Sequence, residues 1–468
     1  MICYKCSEVI PDDSIFCPYC GIKLFVKCPK CGYEYSSRFK ICNQCGTYRE
    51  RDLEKTRILE QWRELTGSYN GTKVLGSKLD SISGQVVIPN GVTKIGDSAF
   101  EECLGLESIE MPDSITEIGD SAFKDCNGLT SVKIPDGVTK IGYYAFLYCY
   151  KLASIEIPDS VTEIGDSAFA FCYELASIEI PANVTRVGRN AFFFCDLKSI
   201  SVSRRNNSFK SIQNCCLTKD GKMLVFGCMT SIIPMGVTRI GDSAFEGCGG
   251  LTSIELPDSV TEIGNSAFRA CEGLTTVNIP SNVAVILDKA FTSCGLESIN
   301  VSKENKTFKS IQNCCLSKDG KKLIFGCKTS IIPMGVTEIG NWAFEECRGL
   351  TSIEIPRSVT KIGYSVFERC HELIFIEIPD GVTEIRASTF LDCSKLTSVK
   401  IPDSVTRIGQ AAFSGCHELM YINIPDSVTE IEERAFEGCG MLGPVEISQK
   451  CKICDDSFDF YTCVKRKI

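Results

Sequence analysis

Histidine is nearly absent from the chain, because only His371 and His417 occur among 468 residues. No serine, cysteine or carboxylate pattern gives either histidine a partner for nucleophilic catalysis. A phosphate-binding loop and a dinucleotide-binding fingerprint are missing as well. We therefore expect the protein not to be an enzyme, and the sequence indicates no small-molecule substrate.

Long apolar runs are also missing. No segment approaches the roughly 18 apolar residues that a membrane-spanning helix needs. The first residues, Met1 to Cys6, contain neither the apolar stretch nor the cleavage site of a secretory signal. We expect a cytoplasmic protein without a membrane span. The alternative is a cell-surface or secreted protein that is exported by a route without a signal peptide.

Basic residues are too few for a chain that wraps nucleic acid. The formal net charge is −9, and residues 1–50 carry seven Lys/Arg against five Asp/Glu. The remaining 418 residues therefore carry about −11. Phosphate backbones are neutralised by Lys and Arg, so an acidic body makes nucleic acid an improbable partner.

Cysteine, in contrast, is abundant, and eight of the 30 cysteines form two identical N-terminal patterns. Each pattern has two C-x2-C turns separated by ten residues. Two such turns complete a tetrahedral site of four thiolates, which selects Zn²⁺ and leaves no coordination position open. We expect two structural Zn²⁺ ions. The ligands are Cys3, Cys6, Cys17 and Cys20 for the first ion, and Cys28, Cys31, Cys42 and Cys45 for the second.

These residues resemble the double zinc ribbon found at the N-termini of many prokaryotic proteins, over residues 3–46. The resemblance implies contacts with either proteins or nucleic acids. We assign residues 1–48 to this module and residues 49–83 to a helical linker and N-terminal cap. Within the linker, Leu59, Trp62 and Leu65 recur at helical spacing, which predicts a helix over 50–66 that packs on the first repeat.

A repeat marked by proline follows the linker. Successive prolines are 23 residues apart, except for two gaps of 53 residues. In one unit, Leu175, Ile178 and Ile180 alternate with polar residues, which predicts a short half-buried strand that Pro181 ends. Ala191-Phe192 is predicted to lie in a helical or 3₁₀ turn with the ring in the core. A unit this short buries a core only when it is stacked on others.

The repeat pattern LxxIxIPxxVTxIGxxAFxxC resembles the BspA-like leucine-rich repeat family. The resemblance implies a curved solenoid whose members mostly bind proteins or act as adhesins, and many are exported. We predict an α/β repeat fold, a right-handed leucine-rich-repeat solenoid with parallel strands and short helical turns, over residues 84–448. Residues 449–468, with Cys451, Cys454 and Cys463, are expected to form a C-terminal cap or tail.

Thirteen cysteines lie three residues after the repeat phenylalanine, from Cys103 to Cys439. Neighbours in successive units are predicted about 5 Å apart, a distance that a disulfide can span. A regular column defines no unique pairing, however, and free cysteine is often buried as a small hydrophobe. We expect buried thiols; a continuous metal or redox track is the alternative.

Two longer repeats, near 204–233 and 303–332, are near copies that imply duplication of a 99-residue block. Asp220-Gly221 and Asp319-Gly320 between apolar runs predict β-hairpins, either projecting from the solenoid or folded along its edge. Each copy has three cysteines, so a metal site there would lack its fourth ligand.

The exposed strand positions suggest where a protein partner binds. At the strand position between the two inward-facing Ile residues, most repeats carry Glu. At the position just before the first of these Ile residues, most repeats carry Ser. Two units replace the small residues with Ile374-Phe375 and Met420-Tyr421. Aromatic side chains within a polar rim are typical of binding hot spots. We therefore expect a non-enzymatic protein-binding scaffold. The alternatives are an exported adhesin and a nucleic-acid-associated zinc-ribbon protein.

Overall fold

The computed structural model describes residues 25–27, 34–36, 83–88, 90–459 and 462–467. From residue 83 onward these residues form a parallel β-solenoid of about 17 turns, so the predicted solenoid is confirmed. Most regular turns contribute two strands, which stack on the equivalent strands of neighbouring turns. We call these stacks the first ladder, which precedes the repeat proline, and the second ladder, which follows it.

The first ladder consists of thirteen strands, most of them three to six residues long. They are β3 (Ser83–Val87), β5 (Gly105–Glu110), β7 (Ser131–Lys133), β9 (Ser154–Glu156), β11 (Ser177–Ile180), β13 (Ser199–Val202), β19 (Thr276–Ile279), β21 (Ser298–Val301), β27 (Phe375–Glu377), β29 (Ser398–Lys400), β31 (Tyr421–Ile422), β33 (Val445–Ile447) and β35 (Val464–Arg466).

The second ladder consists of sixteen strands, and all but two of them have two residues. They are β4 (Lys94–Ile95), β6 (Glu117–Ile118), β8 (Lys140–Ile141), β10 (Glu163–Ile164), β12 (Arg186–Val187), β16 (Met223–Phe226), β17 (Arg239–Ile240), β18 (Glu262–Ile263), β20 (Val285–Ile286), β24 (Lys322–Phe325), β25 (Glu338–Ile339), β26 (Lys361–Ile362), β28 (Glu384–Ile385), β30 (Arg407–Ile408), β32 (Glu430–Ile431) and β34 (Lys452–Ile453).

The two long repeats each insert an antiparallel unit into the array. In the first, β14 (Phe209–Ile212) pairs with β15 (Cys215–Thr218), and β15 pairs with β16. In the second, β22 (Phe308–Ile311), β23 (Cys314–Ser317) and β24 repeat this arrangement. Since β16 and β24 also pair in parallel with β17 and β25, the hairpins neither project nor lie along an edge but are built into the second ladder.

The short helical turns predicted around the repeat phenylalanines are wrong. No helix occurs among the described residues, so the array is an all-β solenoid and not an α/β repeat. Around Phe123, residues Ser121 and Asp125 have left-handed φ angles of 56° and 61°, which a helix cannot contain. The amides of Ser121, Phe123 and Asp125 instead donate to carbonyls of the next turn, at 2.7–2.8 Å.

The core is made of residues that stack on their equivalents in neighbouring turns. Twelve of the thirteen repeat phenylalanines are buried, and their ring centroids lie 5.1–5.6 Å apart in regular turns, as for Phe123 and Phe146 at 5.1 Å. The repeat glycine has an ordinary φ, but a Cβ on Gly142 would lie 2.5 Å from the backbone carbonyl of Gly119. At Gly142 the constraint is therefore the close approach of adjacent turns and not a special φ.

The N-terminal region is described only at two strands. These are β1 (Phe25–Lys27) and β2 (Glu34–Ser36), which pair antiparallel with Phe25 opposite Ser36. The predicted linker helix over 50–66 lies outside the described residues.

Candidate functional site

The eight predicted zinc ligands lie outside the described residues. They are Cys3, Cys6, Cys17, Cys20, Cys28, Cys31, Cys42 and Cys45. The antiparallel strands β1 and β2 precede and follow Cys28-x2-Cys31 in the sequence, because one strand ends at Lys27 and the other begins at Glu34. The two zinc sites stay a prediction, which the donor set of eight regularly spaced cysteines supports.

The four residues predicted to contact a partner form one surface of the first ladder. Phe375 and Tyr421 both pair in register with Ser398, so two aromatic side chains flank one small residue. Ile374 and Met420 are joined in the same way through backbone hydrogen bonds of Thr397. The exposed fractions are 49% for Ile374, 46% for Phe375, 52% for Met420 and 65% for Tyr421. We call these four residues the first-ladder patch.

Charged residues beside the first-ladder patch neutralise each other. Lys400 donates to Glu377 at 2.5 Å, and Lys395 donates to Glu372 at 2.7 Å. Exposed pairs of this kind stabilise a fold little, but they neutralise these two of the acidic residues beside the patch. The patch therefore offers a partner two apolar knobs, which two rungs separate by about 9.6 Å, with Ser398 and Thr397 between them.

The second ladder has a different electrostatic pattern, which the sequence analysis overlooked. Its first strand residue alternates in charge between turns, and opposite charges pair across the rungs. Arg186 pairs with Glu163 at 2.5 Å, Arg239 with Glu262 at 3.2 Å, and Arg407 with Glu430 at 3.3 Å. This face is largely self-neutralised, whereas the exposed Glu column of the first ladder contains few basic residues.

An aromatic cluster on the turns that follow the repeat phenylalanines was also missed. The rings make contacts along the array and across it: Phe171 stacks on Phe194 at 5.1 Å, Tyr150 stacks on Tyr173 at 5.4 Å, and Tyr148 lies 4.8 Å from Phe171. We call this cluster the aromatic edge. Its six residues are Tyr148, Tyr150, Phe171, Tyr173, Phe193 and Phe194. The sequence signal for this cluster was the recurrence of aromatic residues immediately before and after the repeat cysteine in successive units.

The cysteine column is buried, as predicted. No disulfide joins its thirteen thiols, and eleven of them are buried. The Cys126 thiol donates to the carbonyl of Phe100 at 3.0 Å, and this bond recurs along most of the column. Burial raises the pKa of the Cys149 thiol to about 12. Such thiols stay protonated and inert at neutral pH, because the thiolate is the reactive form.

The cysteines of the long repeats are also buried and free, among them Cys215 and Cys216. At the C-terminus, Cys451 is buried, while Cys454 and Cys463 are exposed. Within the described part of the chain, no group of three or more Cys, His, Asp or Glu side chains is arranged to hold a metal ion.

Two cavities occupy equivalent places where each inserted unit meets the preceding turn. The larger is about 180 Å³ and is lined by Lys289, Trp342 and Glu345; the smaller, about 90 Å³, is lined by Asn190 and Glu246. Lys289 pairs with the buried Glu345 at 2.7 Å and its Nζ lies 5.3 Å from the centroid of the Trp342 ring. Burial raises the pKa of Glu345, although Lys289 opposes the shift.

None of the residues that the structure describes forms a helix with the length and hydropathy that crossing a bilayer requires.

Known families match both parts of the chain. The family described as BspA-type leucine-rich repeat region, in six copies, matches residues 85–223, 226–321 and 324–443. The double zinc ribbon family matches residues 3–46. The fusion of the two that the sequence suggested is confirmed by these matches. No curated protein matches the chain.

Solved structures of leucine-rich repeat proteins are similar to this chain. A leucine-rich cell surface protein from Faecalibacterium prausnitzii A2-165 is 33% identical, with 79% of this chain and 89% of that chain covered and a TM-score of 0.45. A leucine-rich repeat protein from Bacteroides ovatus ATCC 8483 is 28% identical, with 86% and 97% covered and a TM-score of 0.36. The pneumococcal vaccine antigen PcpA is 20% identical, with 84% and 86% covered and a TM-score of 0.42.

Proposed function

Since the chain belongs to the BspA-type leucine-rich repeat family, we propose that it is a non-enzymatic scaffold that binds a protein partner through the first-ladder patch. The observation that carries this proposal is the exposure of Ile374, Phe375, Met420 and Tyr421, each between 46% and 65% exposed, within one surface. Other turns build the same rungs with Ser, Thr or Ala, so the fold does not require large apolar side chains here.

The expected energetics follow from the two aromatic knobs. Aromatic side chains at the centre of an interface commonly contribute about 2 kcal/mol or more each, when they are enclosed by a polar rim. Phe375 and Tyr421 have such a rim in the paired charges of Glu377 and Lys400. Losing both knobs should weaken binding by a factor of 100 or more, since roughly 1.4 kcal/mol corresponds to a tenfold change in affinity.

The test replaces the knobs with the serine that neighbouring turns carry. Phe375→Ser plus Tyr421→Ser should leave the thermal unfolding of the array unchanged and abolish capture of the partner from cells of the native host. The matched control is Ser352→Ala plus Ser398→Ala, which removes small side chains on the same ladder. If the double serine variant captures the same proteins in the same amounts as the unaltered chain, the proposal is wrong.

We further propose that residues 1–48 form a module held together by two structural Zn²⁺ ions. The closed donor set supports this role: four cysteines per ion leave no position for a reactive water. The module would supply a second contact surface on the scaffold rather than chemistry. Its slight positive charge keeps nucleic acid as the alternative partner of this module. A chain that shows no salt-dependent binding to DNA or RNA, with or without residues 1–50, would remove that alternative.

A cytoplasmic location is the third part of the proposal. None of the 22 described cysteines forms a disulfide, and thiols in this number suit a reducing compartment. The alternative is a cell-surface adhesin, the role of many members of the repeat family. Protease treatment of intact host cells separates the two. Full protection of the chain supports the cytoplasmic location, and cleavage of the chain supports the adhesin.

A further inference from the structure

The duplication of a 99-residue block allows the aromatic edge to be compared with its own copy. The shift of 99 residues is fixed by the equivalent hairpin glycines, Gly221 and Gly320. The same shift carries each residue of the aromatic edge to a small or polar one. The equivalents of Tyr148, Tyr150, Phe171, Tyr173, Phe193 and Phe194 are Gly247, Gly249, Ala270, Glu272, Thr292 and Ser293. The six aromatic residues are therefore confined to one of two copies of the same structural unit.

The backbone of the two copies is the same. Phe171 and Ala270 have φ angles of 61° and 58°, and both donate to the equivalent carbonyl of the next turn. Phe194 and Ser293 have φ angles of 53° and 58°. The fold is thus built as well with Ala and Ser as with phenylalanine, so the aromatic side chains serve a purpose other than folding.

The rings are ordered by one another and remain accessible. Tyr150 and Tyr173 are 37% and 44% exposed, and their rings are nearly parallel, with an angle of 13°. Phe193 contacts Phe194 with centroids 4.5 Å apart. A cluster that is already fixed by stacking loses little conformational freedom when a partner binds, and tyrosine suits such surfaces because one end is apolar and the other is polar.

Charge selects the partner. The charged residues next to the rings in sequence or one turn away in the same columns are Asp125, Lys151, Glu174 and Asp196. Three of these four are acidic, whereas Lys124 on the neighbouring column is already paired with Glu101. A second copy of this chain would bring the same carboxylates together. A basic partner would pair with them, and the apolar stems of its Lys and Arg side chains would cover the rings.

We propose that the aromatic edge is a second docking surface, separate from the first-ladder patch, and that it binds a lysine- and arginine-rich protein segment. The cations of the segment pair with Asp125, Glu174 and Asp196, while its apolar and aromatic groups pack on the rings. The first-ladder patch lies on the strand face of the array and takes a different partner surface.

The test grafts the residues of the second copy onto the first, in the full chain. The six changes are Tyr148→Gly, Tyr150→Gly, Phe171→Ala, Tyr173→Glu, Phe193→Thr and Phe194→Ser. A random dodecapeptide library displayed on phage is selected on the unaltered chain, and the enriched peptides are synthesised. Their binding to the unaltered and grafted chains is measured by fluorescence anisotropy. Circular dichroism and thermal unfolding verify that the graft folds.

The expected result is a set of basic peptides with aromatic residues that bind the grafted chain at least tenfold more weakly. Because Tyr173→Glu adds a negative charge, such a loss cannot come from weaker attraction to a basic peptide. A second variant, Asp125→Asn, Glu174→Gln and Asp196→Asn, keeps the rings and should weaken binding at least threefold. The first-ladder variant Phe375→Ser plus Tyr421→Ser should bind these peptides unchanged.

Several results would overturn the proposal. These are the absence of enriched peptides, peptides that are acidic or neutral, and peptides that bind the grafted and unaltered chains equally. Selective binding of a neutral glycan from an array, lost in the graft, would show that the edge recognises carbohydrate instead. None of these outcomes bears on the first-ladder patch, so failure here is distinguishable from failure of the proposed function.

Discussion

Replacing Lys289 with methionine is expected to leave a buried carboxylate without its cation. Glu345 is 3% exposed, and Lys289 donates to its Oε1 at 2.7 Å, while Oε2 has no hydrogen-bond partner. Removing one member of a buried ion pair commonly costs about 3–5 kcal/mol. We expect about 3 kcal/mol, because the Lys289 side chain is 31% exposed and water can reach part of the site.

The first copy of the duplicated block provides a control for Lys289→Met at the equivalent position, 99 residues earlier. Asn190 is the equivalent of Lys289, and the buried Glu246 there is paired with Arg269 of the next turn at 3.0 Å. Asn190→Met should therefore cost less than about 1 kcal/mol, since it leaves that pair intact. The residue equivalent to Arg269 in the second copy is Glu368, so the next turn offers Glu345 no cation when Lys289 is lost. The charge of Arg269 also acts on Glu345, but Arg269 is already paired with Glu246 and Glu346.

The effect of Lys289→Met should depend on pH. Burial raises the pKa of Glu345 in the folded chain above its unfolded value, and losing Lys289 raises this pKa further. The folded state then holds a proton that the unfolded state releases, so stability falls as pH rises through this window. The destabilisation caused by Lys289→Met should be complete at pH values above the pKa of Glu345 in the folded chain. It should disappear at pH values below the ordinary carboxyl pKa of about 4.3.

Hydrogen exchange is the appropriate assay, because a long repeat array does not open as one unit. At pH 7, hydrogen-bonded amides near the larger cavity, such as those of Phe344 and Cys347, should exchange roughly 100-fold faster in Lys289→Met, which corresponds to about 3 kcal/mol. The difference from Asn190→Met, with exchange corrected for its intrinsic pH dependence, should shrink towards pH 4.5. Equal exchange in the two variants at pH 7, or a difference that does not change with pH, would refute the argument.

Three further predictions concern the thiols, the turn glycines and the metal. In the native chain, N-ethylmaleimide should modify Cys454 and leave Cys149 unmodified, as read by mass spectrometry; rapid labelling of Cys149 would contradict its burial and its pKa of about 12. Gly142→Ala should lower the free energy of unfolding in urea by about 1–3 kcal/mol, because the added Cβ meets the backbone of the adjacent turn. The control, Gly249→Ala, has open space around its Cβ and should change the free energy of unfolding by less than about 0.5 kcal/mol. Denaturing the chain with a zinc-sensitive dye present should release two Zn²⁺ ions, and chelation should leave the β-sheet circular dichroism of the array intact; one ion or none would contradict the predicted pair of sites.

The array could be predicted from the sequence because burial follows the 23-residue period. Leu129, Val132 and Ile134 alternate with exposed residues, and their burial matches the pattern that the sequence shows. Parallel stacking followed from the shortness of the unit, which buries a core only against its copies. The prediction of free, buried cysteines succeeded for the same reason, since a column without unique pairs behaves as core.

The turns could not be predicted in the same way. The left-handed positions carry Ser121, Asp125 and Tyr144 as readily as glycine, so residue type gives no signal of positive φ there. Hydrogen bonds to the next turn offset the cost of these left-handed conformations, and these bonds exist only in the stacked array. The repeat glycine has an ordinary φ, and the constraint on Gly142 is its contact with Gly119 of the adjacent turn.

The candidate surfaces were predictable to different extents. The first-ladder patch was found because Phe375 and Tyr421 break a column of serines, a contrast visible along the strand pattern. The aromatic edge was missed because its residues lie on turns. Helical segments were expected there, and the aromatic positions beside the repeat cysteine were not compared from unit to unit. The zinc ligands were set by spacing alone, and they stay a prediction because the described structure does not reach them.

The two proposed surfaces are too far apart for one ordinary interface. From the turn of Phe169 to that of Phe390 there are nine turns of the array, which at about 4.8 Å per strand amounts to roughly 43 Å along its axis. A standard interface covers about 800 Å² per partner, or roughly 30 Å across. Each surface should therefore be occupied independently, and a selected basic peptide should bind with unchanged affinity when the partner of the first-ladder patch is already bound. Competition between the two, measured by anisotropy with the partner at saturation, would mean that one molecule spans both surfaces. In that case the chain would be a clamp on a single partner and not a scaffold that holds two partners at a fixed separation.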